Sequence, residues 1–241
     1  MDPVEPSSQT ASMASHVSAG VSPRWEDPRT VAGFVASPPN EQLLAFARER
    51  LTIPRTLTCL DIGCGAARNL EPLADLGYQV VGTDLARPML DAARARLAHR
   101  HDLSFELIHA PMAPLPFPDR AFDLIVAHGI WNLARSDAEF RAAVAEAARV
   151  ARPGAGLFLF TFSRHTLPDD ATPDPRESFV FSSWNGEPQC FLTEAEIIAE
   201  LQRVGFVRDT DAPLTEYNLP KPGTIRTSGP PVIYEGTFVK R

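Results

Sequence analysis

The sequence predicts a doubly wound α/β fold, a parallel sheet covered by helices on both faces. Two observations predict it. From residue 56 onward, short apolar runs alternate with longer runs of helical periodicity, joined by short connections. A glycine-containing loop also stands between the first strand-like run and the first helix-like run, as in sheets that bind ligands at their strand ends. With 241 residues, 44% of them hydrophobic, the chain can bury a sizeable core without disulfide or metal support.

Residues 1–24 contain six Ser and three Pro and almost no large apolar side chain, which predicts a disordered tail. Residues 25–241 then form a single domain. Its first segment, 25–35, carries Trp25, Val31, Phe34 and Val35. Pro38, Pro39 and Asn40 open a helix in which Leu43, Leu44, Ala47 and Leu51 recur at helical spacing. Residues 56–62 read as a buried strand. Residues 66–76 read as a helix stopped by Gly77, with Pro72 able to shorten it. Strands follow at 79–85, 103–109, 122–127 and 157–162, and Pro88 suits the first turn of the helix that runs to His99. Ser136 and Glu139 form a capping box before an Ala-rich helix ending at Arg152, with Pro153 and Gly154 as its stop. Residues 163–192 are polar and Pro-bearing and read as an insertion. Thr193 and Glu196 open a last helix, stopped by Gly205. Residues 206–217 and 232–239 read as two strands that pair as a hairpin at the end of the sheet.

Several function classes are disfavoured. Three cysteines, Cys59, Cys64 and Cys190, form no CxxC pair, and no histidine pair has metal-ligand spacing, so no metal site is expected. No apolar run reaches the ~20 residues that span a bilayer, and no signal peptide is visible, so a cytoplasmic location without membrane contact is expected. A net charge of −7 argues against a general nucleic-acid binder. Oligomeric state stays open.

The loop reads Leu60-Asp61-Ile62-Gly63-Cys64-Gly65-Ala66-Ala67-Arg68-Asn69. Gly63 and Gly65 let backbone approach a ligand closely. Asp84 follows Gly65 by nineteen residues, at the end of the second strand, where an acid can accept hydrogen bonds from ribose hydroxyls. The pattern points to an adenosine-containing ligand. A dinucleotide would put a pyrophosphate on this loop. Asp61 would repel it, and Arg68 occupies the place of the third glycine such a site uses. A carboxylate at Asp61 suits instead a ligand carrying an ammonium and a sulfonium. The alternative is a structural carboxylate that caps loop amides.

These residues resemble motif I of the class I S-adenosylmethionine-dependent methyltransferases. Residues 80–85 (Val-Val-Gly-Thr-Asp-Leu) resemble the following motif, residues 115–125 resemble the family's LPFPDxxFDxI segment, and residues 148–162 its helix-Pro-Gly-strand. The resemblance covers roughly residues 40–240. It implies a Rossmann-like, mostly parallel seven-stranded sheet with a C-terminal antiparallel hairpin, and S-adenosyl-L-methionine as cofactor.

Carried over residue by residue, the resemblance implies that Asp61, Gly63 and Gly65 border the methionine moiety. Asp84 binds the ribose, Leu85 packs on adenine, Met112 and Ala113 line the adenine edge, and Ala127 and His128 close the floor. The chain departs from many relatives in lacking an acid before the LPF segment, where it has Ala110, Pro111 and Met112. His128 is a candidate general base, with packing beside the cofactor as the alternative. Trp25, Phe34 and Trp131 are candidate walls of an acceptor pocket, with ordinary core packing as the alternative. Asp123 reads as structural.

The expected reaction is in-line methyl transfer to an O, N or S nucleophile of a small molecule. The N-terminal segment, the 163–192 insertion and the 217–231 loop are expected to form a lid, with Phe179, Phe181, Trp184 and Phe191 giving the insertion an apolar surface. The alternatives are a regulatory protein that binds the cofactor without turnover and a nicotinamide-dependent oxidoreductase.

Overall fold

A computed structural model describes residues 22–52, 55–220 and 229–241. The expected disordered tail lies almost wholly outside the described residues, as does most of the 217–231 loop. The described residues begin at Ser22. Ser22 is buried, and Pro23–Trp25 forms a 3-10 turn.

Two helices precede the sheet, α1 (Pro28–Ala36) and α2 (Glu41–Arg50). Asp27 caps α1 by accepting from the Arg29 N–H, and Asn40 caps α2 by accepting from the Leu43 N–H at 2.9 Å. The sheet alternation then follows: β1 (Thr58–Ile62), α3 (Leu70–Asp75), β2 (Gln79–Asp84), α4 (Arg87–Leu97), β3 (Phe105–His109), β4 (Phe122–His128), α5 (Asp137–Val150) and β5 (Ala151–Phe162). The insertion contributes a small separate ribbon, β6 (Val180–Phe181) and β7 (Gln189–Cys190). The chain closes with α6 (Glu194–Arg203), β8 (Phe206–Arg208), β9 (Thr215–Tyr217) and β10 (Ile233–Lys240).

The main sheet runs β3-β2-β1-β4-β5-β10-β8, and β9 also pairs with β10. Strands β1 to β5 are parallel, and β10 is antiparallel to β5. The chain order reverses beside β1, so β1 and β4 flank the switch point where doubly wound sheets bind ligands. The predicted hairpin becomes an interrupted edge. β8 pairs with one end of β10 and β9 with the other, both antiparallel, so eight strands fill seven positions.

Two apolar cores cover the two faces. One joins β4 and β5 to α5 and α6 through Ile125, Phe140, Val144, Leu157 and Leu201. The other joins β1 and β2 to α2, α3 and α4 through Leu43, Cys59, Leu70, Val80 and Leu90.

Helix α3 is shorter than the predicted 66–76. The chain after Gly65 spends four residues in a turn, and Pro72 then sits in the first helical turn, where its missing N–H costs nothing. Ala67 carries that turn at φ +61, a left-handed conformation uncommon outside glycine. Helix α5 ends at Val150, two residues early, because residues 151–154 already belong to β5. At α6 the capping box is complete. At α5 only half of it forms. The Glu139 N–H donates to Ser136 Oγ, while the Glu139 carboxylate takes the Arg135 N–H instead.

The insertion does not present the apolar surface expected of it. Phe179, Phe181 and Phe191 are buried, packing against Phe140, against Leu167 and against each other. A ribbon of two-residue strands cannot bury its own aromatic side chains in any other way. Asp123 is structural, as the sequence suggested. It accepts from Arg55, Arg152 and the Thr58 N–H, tying β4 to the start of β1 and to β5.

Candidate functional site

A cavity of about 1060 Å³ opens at the carboxyl ends of β1, β2 and β4. Of the sequence-predicted residues, Trp25, Phe34, Gly63, Gly65, Asp84, Leu85, Met112, Ala113 and His128 line it. Asp61, Ala127 and Trp131 do not.

Asp84 is the best-defined feature of the wall. Its Oδ2 accepts from the Gly65 N–H at 2.9 Å and its Oδ1 from the Ala86 N–H at 2.8 Å. Each carboxylate oxygen keeps a further lone pair for a ligand. Burial raises the Asp84 pKa, opposed by those backbone donors. The carboxylate is thus held in one orientation at the cavity edge. Beside it, Leu85, Met89, Pro111, Met112, Ala113 and Pro114 form an apolar slot.

Gly63 shows why the loop takes glycine. Its φ is +71, and a Cβ there would lie 2.7 Å from Ile130 Cδ1. Ile130 therefore packs directly on the loop and roofs it.

Asp61 stands outside the cavity lining. Its side chain is 1% exposed, beneath the loop rather than in the cavity wall, and both carboxylate oxygens lack a hydrogen-bond partner among the described residues. Burial pushes its pKa up to about 7, with Arg68 opposing and Asp84 reinforcing the rise. A buried carboxylate without a donor is costly unless positive charge lies near it.

His128 is also corrected. Its ring stacks on Phe160, with centroids 4.1 Å apart. Asn40 Nδ2 lies 3.2 Å from its Nε2 and an Arg68 terminal nitrogen 3.1 Å from its Nδ1. Since Asn40 Oδ1 is committed to the Leu43 N–H, the Asn40 amino group is the donor and Nε2 the acceptor. Burial, and then the adjacent Arg68 charge, push the His128 pKa down to about 3. A ring this weakly basic, with its basic nitrogen occupied, is poorly suited to general-base work near pH 7.

Trp131 is corrected too. It is 1% exposed and packs edge-on against Phe140 in the core, because the 3-10 turn Trp131–Leu133 points it inward. Leu133 faces the cavity in its place. Ala127 is fully buried beneath the floor. Trp25 and Phe34 stand at the opening as an edge-to-face pair, with centroids 5.7 Å apart.

Two groups of cavity residues were missed by sequence reasoning. One is the end of the insertion, Glu187, Pro188 and Gln189. The other is the start of α5, including Ser136 and Glu139. Neither carries a spacing signal for ligand binding; the Ser136–Glu139 spacing marks a helix cap.

A family profile described as a methyltransferase domain matches residues 60–160, the span from β1 to β5. Over that span the chain is similar to methyltransferase domains. Demethylmenaquinone methyltransferase of Corynebacterium urealyticum is 33% identical over 162 residues, covering 61% of this chain and 66% of that protein. The Thermus thermophilus enzyme of the same name is 40% identical over 110 residues, 45% of this chain and 48% of its own length. The chain thus spans less than two thirds of these curated relatives. Among solved structures, the 1,6-didemethyltoxoflavin-N1-methyltransferase of Burkholderia thailandensis superposes with a TM-score of 0.62 at 20% identity. The match covers 90% of this chain and 84% of that one. A Methanosarcina mazei methyltransferase gives 0.59 at 22%, over 78% and 94%.

The residues lining the cavity suit S-adenosylmethionine, the cofactor that the resemblance implies. Asp84 offers lone pairs to a diol, the apolar slot admits a flat base, and the unpartnered Asp61 carboxylate favours a cationic ligand over a phosphate.

Proposed function

We propose that the chain binds S-adenosylmethionine and transfers its methyl group to a small-molecule acceptor. The observation that carries this reading is the Asp84 carboxylate, oriented by the Gly65 and Ala86 amides at the edge of an apolar slot. Asp84 holds the ribose, Leu85 and Met112 flank the adenine, and the Gly63–Gly65 backbone borders the methionine portion. Asp61 acts from beneath the loop through its charge. The sulfonium cofactor, when bound, supplies an activated methyl carbon and its own leaving group.

The chain's contribution is then positioning and exclusion of water. The cavity exceeds the range of about 300–1,000 Å³ typical of one ligand, leaving room for an acceptor beside the cofactor. Trp25 and Phe34 from the N-terminal segment and Pro188 from the insertion serve as a lid over that space. With His128 neutral and engaged, the acceptor enters as a sufficiently reactive nucleophile and needs no base from this ring. The relatives named above take small-molecule acceptors, demethylmenaquinone and 1,6-didemethyltoxoflavin, in keeping with this reading. The net charge of −7 favours such an acceptor over nucleic acid. No helix among the described residues is long and apolar enough to cross a membrane.

The test is transfer of an isotopically labelled methyl group across an acceptor panel of phenols, amines, thiols and lactams. The expected result is one labelled product with an equal amount of adenosylhomocysteine. Cofactor binding without transfer to any member would favour a non-catalytic binding protein.

A further inference from the structure

Residues 22–36 are fastened at both ends beside the cavity. At the start, Ser22 and Glu187 both line it, and Ser22 Oγ donates to the Glu187 carboxylate at 3.0 Å. The Ser22 side chain makes no capping hydrogen bond in its own 3-10 turn, so its hydroxyl serves this contact. Glu187 precedes β7, which is itself held in place. The Cys190 thiol donates to the Ala134 carbonyl at 3.3 Å, joining β7 to the turn after β4. At the other end, Arg96 of α4 donates from Nε to the Ala66 carbonyl at 2.9 Å and from a terminal nitrogen to the Val35 carbonyl. One guanidinium thus joins the last turn of α1 to the glycine loop.

Between these fastenings the segment is weakly held. α1 has nine residues and no buried side chain. A helix so short is marginal in water, and an element with little buried apolar surface is among the first parts of a fold to open. Its contacts nevertheless fall on the ligand side. Phe34 lines the cavity and rests against the glycine loop, since a Cβ on Gly65 would lie 3.5 Å from Phe34 Cδ1. Trp25 meets Phe34 edge-on and links the 3-10 turn to α1.

We propose that residues 22–36 form a latched lid. The Ser22–Glu187 hydrogen bond is the latch, Arg96 holds the hinge, and release of the latch sets how fast the cofactor leaves. The inference rests on the methyltransferase reading for the identity of the ligand and extends it to the control of ligand exchange. It gives the insertion a task distinct from acceptor contact, which is to hold the lid shut.

The test is a double-mutant cycle on the full chain with Ser22→Ala, Glu187→Ala and the two combined. Dissociation of labelled adenosylhomocysteine is followed after a chase with unlabelled ligand, and backbone hydrogen exchange of α1 is followed in the ligand-free protein. Each single variant is expected to release the ligand about three- to tenfold faster, and the double variant no faster than the quicker single one. Exchange in α1 should quicken in all three, while exchange in β4 stays as in the parent. Ser22→Thr keeps the hydroxyl and should behave as the parent. The cycle separates the latch from any direct contact between Glu187 and a ligand, because such a contact would survive in Ser22→Ala.

Unchanged dissociation in the single variants, effects that multiply in the double variant, or unaltered exchange in α1 would each overturn the proposal. Failure of adenosylhomocysteine to bind the parent would instead overturn the methyltransferase reading, and hydrogen exchange in the ligand-free protein would still decide whether the latch exists.

Discussion

Asn40 Nδ2 stands 2.7 Å from Glu235 Oε2, joining the N-cap of α2 to β10 across almost the whole length of the chain. Glu235 is 5% exposed, and its other oxygen accepts from the Tyr217 hydroxyl at 2.8 Å. The same Asn40 amino group faces His128, and the Asn40 backbone N–H donates to Asn69 Oδ1 at 3.0 Å. One residue, through its side chain and its backbone N–H, thus ties the N-terminal helices to the glycine loop, to the end of β4 and to β10.

Replacing Asn40 removes a helix cap and leaves a buried carboxylate short of a donor. Asn40→Ala is expected to destabilise the protein by about 2–3 kcal/mol. Asn40→Asp keeps the cap but sets a second carboxylate beside Glu235, and is expected to be no better at neutral pH. Urea unfolding of both variants checks this.

Asp61 gives a prediction whose sign depends on pH. Its folded pKa of about 7 lies above the unfolded value near ~3.9, so the folded state prefers the protonated form. Stability is therefore lost as pH rises from about 4 through 7. Asp61→Asn should stabilise the ligand-free protein by about 1–3 kcal/mol at pH 8 and bring little gain at pH 4. The same variant should bind the cationic cofactor more weakly at pH 8. Thermal melts and calorimetry at the two pH values would check both halves, and a variant less stable than the parent at pH 8 would contradict the account.

Asp123 behaves in the opposite sense. Burial acts to raise its pKa, but hydrogen bonds from Arg55 and Thr58 and the charge of Arg152 outweigh it and hold the group at about 2. The stability it contributes is present above about pH 4 and is lost as pH falls toward 2. Asp123→Asn should cost about 1–3 kcal/mol at pH 7. The parent and the variant should converge in stability near pH 2, read by denaturant midpoints across that range.

His128 should stay neutral through the range in which an ordinary histidine gains its proton. Its ring signals in ¹H–¹³C spectra are expected to stay constant from pH 8 to pH 5, in keeping with a folded pKa of about 3. A titration centred near 6.5 would restore it as a candidate base.

The parallel half of the sheet was legible because each strand from β1 to β5 is a short apolar run between turn residues. Asp84 was legible because its spacing from the glycine loop puts it at the end of β2, within reach of the Gly65 N–H. Other features depended on folding rather than spacing. Asp61 and Trp131 have the residue types of a site, but the first is buried outside the cavity lining and a 3-10 turn directs the second into the core. The aromatic side chains of the insertion looked like a substrate wall, whereas Phe179, Phe181 and Phe191 are buried in packing within the protein. Asn40 and Glu235 lie far apart in sequence, and no local pattern joins them.

The most direct test of the central claim, that Asp84 and the glycine loop hold an adenosyl cofactor without phosphates, is calorimetry of the full chain with S-adenosylmethionine, adenosylhomocysteine and NAD, alongside Asp84→Ala. The account predicts saturable binding of the first two, none of NAD, and a loss of at least about tenfold in affinity for the variant. Preference for NAD, or an Asp84→Ala protein that binds S-adenosylmethionine as tightly as the parent, would contradict it.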